Sequence, residues 1–354
     1  MTSLLKEMAK RASSWLSGDS DENMVVISTR VRMARNLAGY KYPTTADRPT
    51  NEKIVSHFDS IYSKSDCLKK GVFVKDSDLS RLDKDFLIER HLMSPNFMHD
   101  DNSRALYLTR NEQISIMINE EDHIRMQALV PGLNPEKAFN KISEYDTEIG
   151  RYLEFDYDAD FGFLTSCPTN VGTGLRTSVL IHLPGLVITK EIDRVIAKIT
   201  KMGVAVRGFY GEGTDVLGNL FQVSNQKTLG ISEKETLESL TDVCRYIIEE
   251  ETRARQLLMD EAPEQIRDKI WRSYGILKYA HVLTSEEVMN LLSALRLGIA
   301  IGILDFVDIP LINEILLFSQ PAHLQKYYSE EMDQDRRDFI RAQMVREKFA
   351  AFKI

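Results

Sequence analysis

The apolar residues of this chain change their period once, and that change limits the fold. From about Val25 to Gln226 short alternating stretches interleave with helical ones, and past about residue 260 the alternation stops. "VVISTRVRMA", "FGFLTS", "SVLIHL" and "GVAVRGFY" are short and β-rich, and "LGNLFQVSN" is the last strand expected. "ALYLTRNEQISIMIN" alternates on both sides of "RNE", as an antiparallel hairpin does. Between them, "NPEKAFNKISEYDTEIGRYL" opens with Asn134 as N-cap and Pro135 in the first turn. "TKEIDRVIAKITKMG" ends on Gly203, and "SEKETLESLTDVCRYIIEEETRARQLL" begins with a Ser232–Glu235 capping box. Hairpins mixed with helices predict an α+β domain over 24–258 with a largely antiparallel sheet flanked by helices. "PEQIRDKIWRSYGILKYA", "SEEVMNLLSALRLGIAIG" and "RRDFIRAQMVREKFAAF" predict an all-helical domain over 259–354.

In the first 23 residues Leu4, Leu5, Met8, Ala12, Trp15 and Leu16 recur at helical spacing, which predicts an amphipathic docking helix rather than a signal peptide. The most apolar later stretch, "LLSALRLGIAIGILDFVDIPL", carries Arg296, Asp305 and Asp308, charges that a membrane span excludes. The expectation is a cytoplasmic protein with no membrane contact. Its net charge of −8, from 45 basic and 53 acidic residues, argues against nucleic acid and favours basic protein partners. Cys67, Cys167 and Cys244 are far apart and form no CxxC, so neither a zinc site nor a disulfide framework is expected. No metal site built from protein ligands is expected.

The chemistry is carried by arginines. No GxxxxGK[ST], HRD, DFG or HExxH occurs, and "GTGLRT" lacks the third glycine of a dinucleotide fingerprint. Arg30 and Arg32 in "STRVR" have period-two spacing and share one face of a strand. Arg125 in "NEEDHIRM", Arg176 in "GTGLRTS" and Arg207 in "VRGFYGEG" lie at or beside expected strands. Taken singly, each is an ordinary solvated or ion-paired side chain. Five together could clamp a triphosphate, because the planar guanidinium binds phosphate oxygens two at a time. Two carboxylate sites accompany them: "NEED" (Glu120, Glu121, Asp122) and Glu212 in "GFYGEG". Such acids can orient a cationic substrate and accept its proton.

"STRVRMARNL", "NEEDHIRM", "SCPTNVGTGLR", "RGFYGEG" and "SNQKTLGISEKE" resemble, in order and spacing, the signature segments of ATP:guanido phosphotransferases, the arginine and creatine kinases. The resemblance covers roughly residues 20 to 255 and implies the phosphagen-kinase catalytic fold, which is glutamine-synthetase-like. It departs at both ends. The stretch before Ser28 is too short for the helical domain that closes over a small guanidino substrate, and a helical region has been added at the other end. That arrangement resembles the bacterial protein-arginine kinases, whose open site admits an arginine side chain of a protein. "RDFIRA" matches the RDxxRA motif by which that group binds phosphoarginine as an allosteric signal.

The resemblance implies roles residue by residue. ATP, with Mg²⁺ bridging its phosphates, would be held by Ser28, Thr29, Arg30, Val31 and Arg32, by His91 and Arg125, and by Arg176, Thr177, Ser178, Val179 and Leu180. Arg207, Gly208, Phe209, Tyr210, Gly211 and Glu212 complete that set. Glu121 and Glu212 would clamp the acceptor guanidinium, one taking its proton, while Cys167 lies against it as a thiol polarised towards thiolate. In the tail, Arg337 and Arg341 would grip a phosphate, with Asp338 receiving a guanidinium and Ala342 completing the motif. Implied partners are arginine-containing proteins such as stress-response repressors and misfolded chains, a Clp-type unfoldase, a zinc-binding activator and a second copy of the chain. Two alternatives stay open: a kinase for free arginine or another small guanidino compound, and a non-catalytic adaptor that binds phosphoarginine.

Overall fold

The strands are β1 (Val26–Arg35), β2 (Gly71–Lys75), β3 (Ala105–Thr109), β4 (Ile114–Ile118), β5 (Ile124–Pro131), β6 (Tyr157–Asp158), β7 (Gly162–Phe163), β8 (Leu175–His182), β9 (Val204–Gly208) and β10 (Leu220–Asn225). In this computed structural model, which describes residues 2–18, 24–98, 103–208 and 217–350, eight of them form one sheet in the order β2-β3-β4-β5-β1-β8-β10-β9. Every adjacent pair is antiparallel. β6 and β7 pair separately.

The helices are α1 (Thr2–Ala9), α2 (Arg48–Lys64), α3 (Arg81–Glu89), α4 (Pro135–Gly150), α5 (Pro184–Ile188), α6 (Ile192–Thr200) and α7 (Glu233–Glu261), then α8 (Pro263–Tyr279), α9 (Ser285–Ala300), α10 (Ile309–Phe318), α11 (Pro321–Tyr328) and α12 (Gln334–Phe349). Strand alternation divides their cover between two faces. Val31, Ile116 and Ala128 pack with α2 and α4, and Val179, Ile181 and Val223 pack with α6 and α7. On the other face Ile27, Met117, Leu129, Leu180 and Leu220 join α1, α3 and the C-terminal helices in one core. Arg30, Arg32, Arg125, Arg176 and Arg207 fall on this second face by the strand registers. None of the described helices is long and apolar enough to cross a membrane.

The period-based expectations hold for β1, β8, β9, β10 and the β3–β4 hairpin. The capping box at Ser232 and Glu235 is formed, and Gly203 is left-handed at φ 87°. Three expectations need correction. α1 ends at Ala9 and Ala12 is exposed, because Ser14 turns to the hairpin and donates its hydroxyl to Asn111 O. Trp15 and Leu16 are buried in a separate 3₁₀ turn. Asn134 makes no side-chain cap; its amide donates instead to Pro131 O at 2.7 Å. "FGFLTS" is a strand only at Gly162–Phe163, since the following residues are drawn to the "NEED" turn. β2, α2 and α3 were not legible in the periodicity.

Candidate active site

Antiparallel register assembles the arginine cluster. Arg32 pairs with Arg176 on β8 and with Gln127 on β5, while Arg30 pairs with Ser178 and Leu129. Arg207 on β9 faces Gln222 on β10, which in turn faces Leu180. Residues two apart on each strand therefore share one polar face. A cleft of about 160 Å³ is lined by Arg32, Arg125, Arg176 and Arg207 together with Glu121 and Cys167. Arg30 lies two residues along β1, in a smaller cleft of about 30 Å³ with Ser28, His91, Ser178 and Leu180. All five expected arginines thus meet on this face.

The electrostatics of the cluster call for an anion. Burial and the charge of Arg125 lower the Arg30 pKa to about 10. Arg32 is lowered further by burial and by Arg30, Arg125 and Arg176 around it. Its buried Nε has no hydrogen-bond partner among the described residues. Guanidinium stays charged in proteins, so burial beside like charges leaves these cations poorly solvated by the protein alone. Phosphate oxygens would supply both the missing charge and the missing acceptor, which is the fit expected of ATP. Among the described residues no group of three or more His, Cys, Asp or Glu gathers to hold a metal.

The acids of "NEED" divide their labour. Glu120 is buried, accepts from Ser94 Oγ at 2.5 Å and pairs with Arg125, which aims that arginine. Despite burial, Arg125 and Ser94 hold the Glu120 carboxyl below the usual range. Asp122, also buried, accepts from Asn36 Nδ2 and Ser166 N at 2.7 Å each. Ser166 Oγ returns a bond to Glu121 O at 2.7 Å. These ties fasten the loop before Cys167 to the turn that carries Glu121. Burial pushes the half-exposed Glu121 carboxyl up, against the pull of Arg125 at 4.0 Å. Cys167 Sγ lies 3.1 Å from Thr169 Oγ1.

Alternation corrects part of the expected nucleotide set. Thr29, Val31, Thr177 and Val179 point to the opposite face: Val31 and Val179 are core residues, and Thr29 Oγ1 bonds Gly132 O. The backbone of Thr177–Leu180 is also paired, to β1 throughout and to β10 from Ser178. Thr29, Val31, Thr177 and Val179 thus shape the cleft through the ladder, whereas Ser28, Ser178 and Leu180 line it. His91 does line it, with its ring lowered to about 3 by burial and Arg30. Gly208 is buried at the end of β9, whereas Phe209, Tyr210, Gly211 and Glu212 lie outside the described residues. Trp15, Leu129 and Gln222 also line the cleft beside His91 and were missed. Counting in twos from Arg125 would have found Leu129; nothing local marks Trp15.

The tail motif lies in α12. Arg341 is 1% exposed and donates to Ser319 O at 2.7 Å and Leu283 O at 2.8 Å while pairing with Asp338. Arg337 is partly exposed and donates to Met332 O at 2.8 Å. Ala342 is buried. Arg341 and Asp338 therefore already satisfy one another in this state.

The chain is similar to known proteins over most of its length. Residues 51–254 match the family model for the ATP:guanido phosphotransferase C-terminal catalytic domain, and residues 263–353 match the Protein-arginine kinase McsB C-terminal domain. A protein-arginine kinase of Halothermothrix orenii is 42% identical over 95% of this chain and 96% of its own length. One of Desulforamulus reducens is 40% identical over 98% of both. In fold, the chain is similar to lombricine kinase, with TM-score 0.59, 23% identity and coverage of 70% of this chain and 75% of that one. A Schistosoma mansoni taurocyamine kinase gives TM-score 0.61 and 22% identity over 76% of this chain and 39% of its own. An arginine-lined cleft on an antiparallel sheet, a helical C-terminal region and near-full-length relatives place the chain in the ATP:guanido phosphotransferase family, on its protein-arginine kinase branch.

Proposed function

We propose that the protein transfers the γ-phosphoryl group of ATP to a guanidinium nitrogen of arginine residues in proteins. The observation that carries this reading is one cleft holding Arg32, Arg125, Arg176 and Arg207 beside Glu121 and Cys167. Five arginines would position the triphosphate and neutralise charge as it shifts towards the leaving oxygen. Mg²⁺, when bound, adds charge neutralisation at the phosphates. The new bond joins phosphorus to a guanidinium nitrogen, and the bond from γ-phosphorus to the β–γ bridging oxygen breaks, leaving ADP. The nitrogen's proton goes to a carboxylate. Glu121 suits that task, because burial raises its affinity for a proton. Glu212 would share the clamp, and Cys167 would lie against the acceptor and tune its charge.

The finer reading is that phosphoarginine regulates the enzyme through Arg337, Asp338, Arg341 and Ala342. Modified proteins would be marked for a stress response and for degradation by a Clp-type unfoldase, in the cytoplasm. A zinc-binding activator and self-association complete the proposed partners. The relatives' names support a protein acceptor. Incubation with ATP and a basic protein, followed by mass spectrometry that preserves acid-labile P–N bonds, tests it. Phosphoarginine on the protein is expected. Phosphoserine, or transfer to free arginine alone, would overturn the reading.

A further inference from the structure

Three consecutive residues at the end of α3 each hold a different part of the molecule. Glu89 accepts the backbone N–H groups of Ala322 and His323, at the start of α11, at 2.8 Å each. Arg90, fully buried, forks onto Glu112 at 2.7 and 2.8 Å and donates to Arg11 O at 3.2 Å. His91 lines the nucleotide cleft beside Arg30, and its carbonyl accepts from Gln127 Nε2 at 2.5 Å. Its φ of 59° is left-handed, a strained conformation that persists only where neighbours impose it. The position of His91 therefore depends on what holds Glu89 and Arg90.

The other end of this contact leads to the tail motif. α11 is entered through Ser319 and Gln320, and Ser319 O accepts from Arg341 Nε at 2.7 Å. An anion drawn to the motif would compete for the Arg341 guanidinium with Ser319 O and Asp338. Release of Ser319 would loosen the turn that sets the α11 amides on Glu89. Trp15, Glu89, His91, Leu316, Leu317 and Gln320 line one small cavity at this junction, so the cleft residue His91 and the α10–α11 turn share a wall.

We infer that Glu89 is a positioning residue that couples the helical region at Arg341 to His91 in the nucleotide cleft. The inference rests on the proposal that the tail binds phosphoarginine. Phosphoarginine should then change nucleotide affinity through Glu89, and nucleotide should change phosphoarginine affinity by the same factor.

Calorimetry on the full chain tests this, with Mg-ADP titrated with and without phosphoarginine and the reverse. In the wild type we expect roughly five-fold or more mutual coupling, within the usual allosteric range. Glu89→Gln should bind each ligand alone within two- to three-fold of wild type, retain kcat at saturating ATP, and lose the coupling. Should that variant not fold, Glu89→Asp, one methylene shorter, should show reduced coupling. Lys326→Met cuts the neighbouring α11–α3 ion pair with Asp83 at 2.5 Å but spares Glu89; it should keep the coupling. Unchanged coupling in the Glu89 variants, or its loss in Lys326→Met, would overturn the role of Glu89. A wild type that binds both ligands independently would also overturn it. A wild type that binds no phosphoarginine would remove the regulatory reading beneath it.

Discussion

Arg32 on β1 stands directly across from Arg176 on β8, two cations in register on one face of an antiparallel sheet. Like charges opposed in this way destabilise a sheet, so the pair is held at a cost to the fold unless an anion lies between them. Arg32→Met should raise the stability of the nucleotide-free protein by roughly 1 kcal/mol. It should also weaken ATP binding at least tenfold, since a charge-assisted hydrogen bond contributes about 1.5–3 kcal/mol. Thermal melts with and without ATP measure both effects; a melt unchanged by the substitution would show that the pair is not repulsive.

Glu121→Gln keeps the shape of the side chain and removes its charge. Turnover should fall by roughly 100-fold, a usual loss for a general base, with ATP affinity little changed. Burial raises the Glu121 carboxyl above the ordinary carboxylate range. As the base it must be ionised, so kcat should decline as pH falls through that raised pKa. The acid limb of the kcat–pH profile should vanish in Glu121→Gln, and its survival would assign the limb to another group.

Cys167 is partly exposed in the cleft, whereas Cys244 is fully buried and Cys67 lies elsewhere, in contact with the α2–α4 core. Cys167→Ser should strongly lower activity, and the corresponding changes at Cys67 and Cys244 should not. Mild peroxide should inactivate the wild type reversibly, through a sulfenic acid that thiol reductant restores. Equal peroxide sensitivity in Cys167→Ser would place the sensitive group elsewhere.

The two tail arginines should behave differently. Arg337→Ala loses one bond, to Met332 O, and should fold normally while losing phosphoarginine binding. Arg341→Ala leaves Asp338 and two carbonyls without their donor. Breaking such a buried pair costs roughly 3–5 kcal/mol. Calorimetry and chemical denaturation of the two variants separate these effects. Full binding by Arg337→Ala would return that residue to a charged helix face.

Burial pushes the Glu89 carboxyl up to about 7, against the α11 amides, with Asp85 adding to the rise and Arg341 opposing it. The folded state therefore binds a proton that the unfolded chain releases near the ordinary glutamate value of about 4.5. The stabilisation is full below that value and is lost as pH rises to about 7. Wild-type stability should decline across this window relative to Glu89→Gln. Parallel pH profiles for the two proteins would rule out a raised carboxyl.

Alternation and capping are local, and they were legible. The period of two in "STRVR" puts Arg30 and Arg32 on one face whatever sheet they enter, and Ser232 needs only Glu235 three residues later to close its box. The signature segments likewise carried the candidate site in one dimension. Which side chains meet across strands was a matter of register. The Arg32–Arg176 pairing and the opposite facing of Thr177 and Val179 exist because β8 lies antiparallel between β1 and β10. Trp15 reaches the cleft, and Glu89 reaches α11, across more than 70 and 230 residues of chain respectively. No periodicity records such distances. They are fixed by the packing of α1, α3 and the C-terminal helices into one core, where burial of apolar surface decides which distant segments become neighbours.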